Sequence, residues 1–199
     1  METPLRDELI AMKKRDADVR SQLMREGRLF GDYAEEMQQV HRKNAERLDE
    51  LVARHGWPSI SVVGLEGCQA AWLIAQHANC TPQLQRAFLA RLSEVAEKGD
   101  APKRQVAFLT DRIRFNENRP QVYATVLDWD ENGELSCAVE DPANLNARRL
   151  AVGLPATEDD DLVTYRKKIE SEGGKPPPDL AEAKRKGLEW ARRVGWIAG

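Results

Sequence analysis

The sequence predicts a mainly α fold: a helical domain with a long N-terminal helical hairpin, a buried central helix and one β-hairpin. Three observations predict it. Apolar residues recur at three- and four-residue spacing from Leu5 to Ile113, and the stretch Glu66 to Ala78 is apolar around nearly its full circumference. Alternating β-branched and aromatic residues are confined to about 120–140, on either side of the turn signal Asp130-Glu131-Asn132-Gly133.

The first stripe is Leu5, Leu9, Met12, Val19 and Leu23, with Asp16 where the period asks for an apolar residue. After a break at Gly27 to Gly31, a second stripe runs Tyr33, Met37, Val40, Leu48 and Leu51, and Asn44 interrupts it. Two long amphipathic helices joined by a short turn lie antiparallel, which predicts Asp16 and Asn44 at one level of the hairpin. Such a pair either fixes helix register, or Asn44 and its one-turn neighbour His41 line a site. His55-Gly56-Trp57-Pro58 closes the second helix, and Ser59 to Gly64 reads as an extended link to the central helix. Thr81 is the expected cap of a helix through Phe88 and Leu92 to about Gly99, and Pro102 opens the next, with Val106, Leu109 and Ile113 inward.

Gln121 to Trp129 and Glu134 to Val139 are the predicted strands of the hairpin. Asp141-Pro142 starts a helix that Gly153 and Pro155 stop, and Thr157 is the expected cap of another reaching Glu172. Three consecutive prolines make 173–178 a stiff spacer before a last helix, Leu180 to Ile197, docked through Leu188, Trp190, Ala191 and Val194. The expected organisation is one domain, 1–199, comprising the hairpin 1–55, a core 56–172 and the docked helix 179–197.

Composition removes several classes of function. The chain is 41% hydrophobic and 32% charged, too apolar for disorder and too charged for a membrane protein. Its 30 basic and 33 acidic residues are intermixed, so neither a nucleic-acid nor a membrane partner is expected. Cys68, Cys80 and Cys137 are an odd set without a Cys-x-x-Cys pair, which argues against a disulfide framework and a thiolate zinc site. The charged N-terminus, with no apolar signal stretch, places the expected chain in the cytoplasm. There is no Gly-x-Gly-x-x-Gly, no phosphate loop and no Gly-x-Ser-x-Gly, and no cofactor is expected. A small-molecule substrate is the expected partner, and a homo-oligomer is compatible with the composition.

His77 stands out because it shares the face of Ala70, Leu73 and Ile74 on the apolar helix. Buried there, its ring needs partners, either as a satisfied core histidine or as a functional one, and Gln76 points to a neighbouring wall. Asp111 and Arg112 share a helix face with Phe108 and Phe115, an arrangement that suits either a structural ion pair or a carboxylate orienting His77 beside an anion-binding guanidinium. Alternation puts Gln121, Tyr123 and Thr125 on one face of the first strand, either ligand-facing or solvated. Cys68 near the start of the central helix reads as a small hydrophobe or as an activated thiol. It cannot form a dyad with His77, because nine residues of helix separate them by about 13 Å. The three histidines have no metal-ligand spacing, so no metal is expected; the weakest reading assembles one in space from His41, His55, His77 and Asp111.

The string Asn44, Gly56-Trp57-Pro58, Gly64, Ala70-Ala71-Trp72-Leu73-Ile74, Gln76-His77-Ala78, Leu109-Thr110-Asp111-Arg112 and Gln121-x-Tyr123-x-Thr125 resembles an uncharacterised bacterial domain-of-unknown-function family. The likeness runs from about 40 to 155 and takes in Arg148-Arg149 and Gly153-Leu154-Pro155. This sequence departs from the family pattern at His41, where an acid is usual, and at Ala124 and Val126, which replace Gly and Gln. The resemblance implies no reaction, cofactor or substrate. From the residues themselves the expected function is a small cofactor-independent enzyme: His77 as general acid or base, Asp111 orienting it, Tyr123 and Gln121 positioning substrate, Arg112 holding an anionic group, and His41, Asn44 and Gln76 on the walls. The alternative is a non-catalytic helical module that binds a protein through the N-terminal hairpin or the last helix.

Overall fold

The computed structural model describes residues 3–29, 33–157 and 161–198. Among them are eight α-helices and one two-stranded antiparallel sheet, so the fold is mainly α with one β-hairpin. The chain forms two compact units, Met1–Leu109 and Thr110–Gly199.

The first unit contains α1 (Thr3–Arg25), α2 (Glu35–His55), α3 (Ile60–His77), α4 (Pro82–Glu97) and the beginning of α5 (Lys103–Asn116). α3 packs on α1, α2 and α4, and its buried residues are mostly small: Gly67, Cys68, Ala70, Ala71 and Ala75. Small residues let neighbouring helices approach, and a Cβ on Gly67 would lie 2.7 Å from Val63 Cβ and 3.1 Å from Arg6 Cγ of α1. Larger side chains fill the space around them: Leu9, Leu48, Ile74, Phe88 and Leu92 are almost fully buried, each contributing about 1.5–3 kcal/mol of transfer free energy. Toward the turn of the hairpin, Leu23, Met37 and Val40 form a smaller cluster with Val19, Leu29 and Tyr33. Part of the expected break, residues 30–32, lies outside the described residues.

Two local expectations are corrected here. The segment after Ser59 is not extended: Ile60 already starts α3, and the break comes at Gly64, whose φ of 72° and ψ of 172° kink the helix. Asp100 makes that early start favourable, because its carboxylate accepts from Ser61 N at 2.8 Å and Ser61 Oγ at 2.6 Å, and its carbonyl accepts from Ile60 N at 2.9 Å. First-turn donors are thereby satisfied from outside the helix. Thr81 does not cap α4 with its side chain; its hydroxyl donates back to Ala78 O at 3.1 Å, and Pro82 opens the helix without needing a donor partner.

The second unit holds the end of α5, β1 (Asp128–Trp129), β2 (Leu135–Ser136), a 3-10 turn (Pro142–Asn144), α6 (Leu145–Ala151), α7 (Asp161–Ser171) and α8 (Leu180–Val194). The strands pair Asp128 with Ser136 and Trp129 with Leu135. Asp130 Oδ1 accepts from Asn132 N at 2.9 Å and Glu134 N at 3.0 Å, and Gly133 takes φ 73°, which is the turn chemistry the sequence announces. The hairpin is much shorter than expected, since Gln121 to Leu127 is not a strand; Gln121 makes only an isolated bridge with Val139. α8 is capped by Asp179, which accepts from Glu182 N at 2.9 Å, and it ends at Val194 rather than Ile197. Gly195 in the left-handed conformation turns the chain so that Trp196 N reaches Ala191 O at 2.8 Å and the indole is buried. Thr157 gives its N–H and hydroxyl to Asn146 Oδ1, and the residues 158–160 between it and α7 lie outside the described residues. No helix among the described residues is long and apolar enough to cross a membrane.

Candidate functional site

The polar interruptions in the apolar stripes of α1 and α2 meet the last residue of α3. Asp16 Oδ2 lies 2.8 Å from His77 Nδ1 and 3.1 Å from His41 Nε2, so one carboxylate oxygen serves two imidazoles. Their ring centroids are 4.8 Å apart, inclined at 42°. Asp16 and His41 are buried, whereas the His77 side chain keeps 29% of its surface exposed. The expected level pairing of Asp16 with Asn44 is off by one turn: Asn44 Nδ2 donates to Met12 O at 3.4 Å, and His41 is the α2 partner of Asp16.

Electrostatics fix the protonation pattern. Burial alone would raise the Asp16 carboxyl, but the hydrogen bonds from His41 and His77 outweigh it and hold the group well below the usual carboxylate range. An ionised carboxylate only accepts, so His41 presents Nε2–H and His77 presents Nδ1–H. The other nitrogen of His41, Nδ1, is hydrogen-bonded to the Tyr33 hydroxyl. Burial, aided by Cys80 and Asp16, pushes the Tyr33 phenol far up, and it stays a neutral donor. The result is one connected chain: the Tyr33 hydroxyl on His41 Nδ1, His41 Nε2 3.1 Å from Asp16 Oδ2, and His77 Nδ1–H on the same oxygen. His77 Nε2 has no hydrogen-bond partner among the described residues.

The end of α3 is held firmly enough to aim that nitrogen. Gln85 Nε2 donates to Ala75 O at 2.7 Å and Gln76 O at 3.0 Å, taking up carbonyls that a helix C-terminus leaves open. Gln76 Nε2 reaches Phe108 O at 3.4 Å, while its buried Oε1 has no hydrogen-bond partner among the described residues. Asn44 also lines a groove of about 490 Å³ between α1 and α2, beside Arg15, Lys43 and Arg47. His55 is exposed at the end of α2 and takes no part in the cluster.

The sequence candidates of the second unit assemble around a different aspartate. Asp111 is fully buried, and its carboxylate accepts from Val122 N at 2.8 Å, Tyr123 N at 3.2 Å, Thr125 N at 3.0 Å and Thr125 Oγ1 at 2.9 Å. This cradle curls 121–126 out of strand geometry and carries Ala124 to φ 55°. Gln121 completes it, its Oε1 accepting from Thr125 N and Val126 N and its Nε2 donating to Val126 O at 2.6 Å. From the other side, Arg149 Nη1 donates to Tyr123 O at 2.6 Å and Arg148 Nε to Val122 O at 3.0 Å. Arg112 is half-buried, its guanidinium 5.6 Å from the Phe115 ring centre. The polar residues read as one strand face are therefore stitches of an irregular loop. Cys68 behaves as a small hydrophobe: it is fully buried, desolvation pushes its thiol up to about 11, and its sulfur lies 3.7 Å from Gln105 Oε1.

Sequence reasoning missed Asp16 and Tyr33 as site residues. The signal for Asp16 was present, an acid on an apolar stripe, but its partner depends on an axial offset that periodicity does not fix. Tyr33 was counted only as a member of the α2 stripe. Chemically the cluster offers an oriented imidazole with an open lone pair. It also offers three ligand atoms, one each from Asp16, His41 and His77, all within 4.8 Å of one another. A protein-family model described as a family of unknown function (DUF6624) matches residues 3–169. No curated protein and no solved structure matches the chain.

Proposed function

Since the chain belongs to that family of unknown function, whose description names no chemistry, we propose from the site geometry that it is an enzyme using His77 as a general acid or base on a small polar or anionic substrate. One observation carries the reading: the 2.8 Å bond to Asp16 commits His77 Nδ1 to donate, while Nε2 has no hydrogen-bond partner among the described residues and the side chain keeps 29% of its surface exposed. The buried His41 is engaged at both nitrogens, Nε2 at 3.1 Å from Asp16 Oδ2 and Nδ1 hydrogen-bonded to the Tyr33 hydroxyl. His77 satisfies one and leaves the basic one open. Asp16 takes the orienting role, holding the tautomer and stabilising the imidazolium that forms when Nε2 accepts a proton. Three free thiols fit a cytoplasmic setting for such an enzyme.

A panel of p-nitrophenyl esters and phosphate esters tests the reading with purified full chain. General acid–base groups contribute about 10²–10⁴-fold, so His77→Gln lowers any turnover found by that order, Asp16→Asn follows it, and His55→Gln leaves it unchanged. A His77→Gln protein that is folded and turns over at the wild-type rate sinks the assignment.

A further inference from the structure

We propose that Asp16, His41 and His77 also form a binding site for one divalent transition-metal ion of the zinc class, whose occupancy removes the His77 base. The donor set is two imidazole nitrogens and one carboxylate oxygen, which suits Zn²⁺ or Co²⁺ and not the all-oxygen preferences of Ca²⁺ or Mg²⁺. Each ligand comes from a different helix, and two of the three are buried, so the packing of α1, α2 and α3 has already brought them together. Their N···O separations of 2.8 and 3.1 Å fall a few tenths short of the roughly 3.3 Å between ligands of a tetrahedral ion with bonds of about 2.0 Å. Ligation moves the carboxylate outward by those few tenths and brings the two ring nitrogens, which lie within 4.8 Å of each other, to the same spacing. Three protein ligands leave a fourth position for water.

The surroundings accommodate the change of tautomer that ligation demands. When His41 Nε2 binds the ion, its proton moves to Nδ1 and points at the Tyr33 oxygen, which then accepts instead of donating; an outer partner of this kind orients metal-bound histidines. When His77 Nδ1 binds, its proton moves to Nε2, where no described group opposes it. That nitrogen then has no lone pair to offer, so loading inhibits acid–base turnover. This inhibitory consequence rests on the proposed function, whereas the metal site does not.

The test titrates chelator-stripped full chain with Co²⁺, followed by its visible d–d absorption, and with Zn²⁺ by calorimetry. The expected result is one ion per chain, with affinity at least about 10-fold weaker in Asp16→Asn, His41→Gln and His77→Gln and unchanged in His55→Gln. Tyr33→Phe weakens binding by about 10-fold, as loss of an outer-shell partner does. His77 is the most exposed ligand, so His77→Gln remains informative if the variants at the two buried ligands fail to fold. No saturable binding to the wild type, or equal binding by His77→Gln, overturns the site. In the ester assay Zn²⁺ lowers the His77-dependent rate. A rate that rises on loading overturns the inhibition and the metal-free acid–base reading together, while absent binding beside a His77-dependent rate overturns the metal site alone.

Discussion

Each unit of this protein is organised around a buried aspartate, and the two are satisfied in opposite ways. Asp111 spends its carboxylate on three backbone amides and a threonine hydroxyl. None of those partners changes charge or tautomer near neutrality, so the arrangement has one state and works as a loop anchor. Asp16 instead accepts from two imidazoles, groups that can gain a proton, switch tautomer or bind a metal. The comparison teaches that burial of a carboxylate does not by itself mark function; the nature of its donors separates an anchor from a device.

Exchanging each acid for its amide is the strongest way to break that comparison. Asp111→Asn leaves one oxygen to serve four donors and turns an NH₂ toward backbone N–H groups, of which only Thr125 N has a second acceptor, Gln121 Oε1, among the described residues. Leaving buried donors unpaired costs about 1–3 kcal/mol each, and more where the acceptor was charged, so a loss of about 3–5 kcal/mol is expected in urea unfolding. Asp16→Asn faces only imidazole nitrogens, which can present a lone pair in place of N–H, and about 1–2 kcal/mol is expected. The effect on turnover runs the other way, lowered about 10²–10⁴-fold by Asp16→Asn and retained by any folded Asp111→Asn protein. Equal stability losses in the two variants would remove the distinction.

The same contrast explains what was legible in the sequence. The helices were readable because burying one face of a helix imposes a period of 3.6 on the chain itself, and Asp130 to Gly133 carries its own turn chemistry. The loop at 121–126 was not, because Val122, Tyr123 and Val126 have strand propensity, and the buried Asp111 carboxylate, with Gln121, Arg148 and Arg149, overrides it. Nor was the union of Asp16, His41 and His77. A slide of one helical turn, about 5.4 Å, exchanges His41 for Asn44 as the partner of Asp16 and leaves the apolar pattern of both helices unchanged. His77 was identified from its face on α3, but its carboxylate partner comes from α1.

Backbone conformation sharpens the comparison at a second level, since each unit has a left-handed residue near its aspartate-bearing elements. At Gly64 the kink of α3 sits at φ 72°, ψ 172°, a region that is essentially glycine's alone. Gly64→Ala is therefore expected to cost about 2–3 kcal/mol and, because the kink sets how α3 enters the hairpin, to weaken Co²⁺ binding as well. Circular dichroism with urea and the cobalt titration measure the two effects separately. A stable variant with wild-type cobalt binding would show that the kink does not position the cluster.

Ala124 is the counterpart in the second unit, held at φ 55° with a buried methyl while the amides on either side of it point at Asp111. An alanine in the left-handed region carries about 1–2 kcal/mol of strain, and glycine would relieve it. Glycine also gives up the buried methyl, about 0.8 kcal/mol, and brings more freedom to the unfolded chain. The balance for Ala124→Gly is a gain of no more than about 0.5 kcal/mol, the smallest effect expected here, readable as a slight upward shift of the urea midpoint. Its sign is informative despite its size. If the Asp111 cradle dictates the loop, relieving the strain stabilises the protein or leaves it even, whereas a loss beyond about 1 kcal/mol would mean that packing around the Ala124 methyl, and not the carboxylate, holds 121–126 in place.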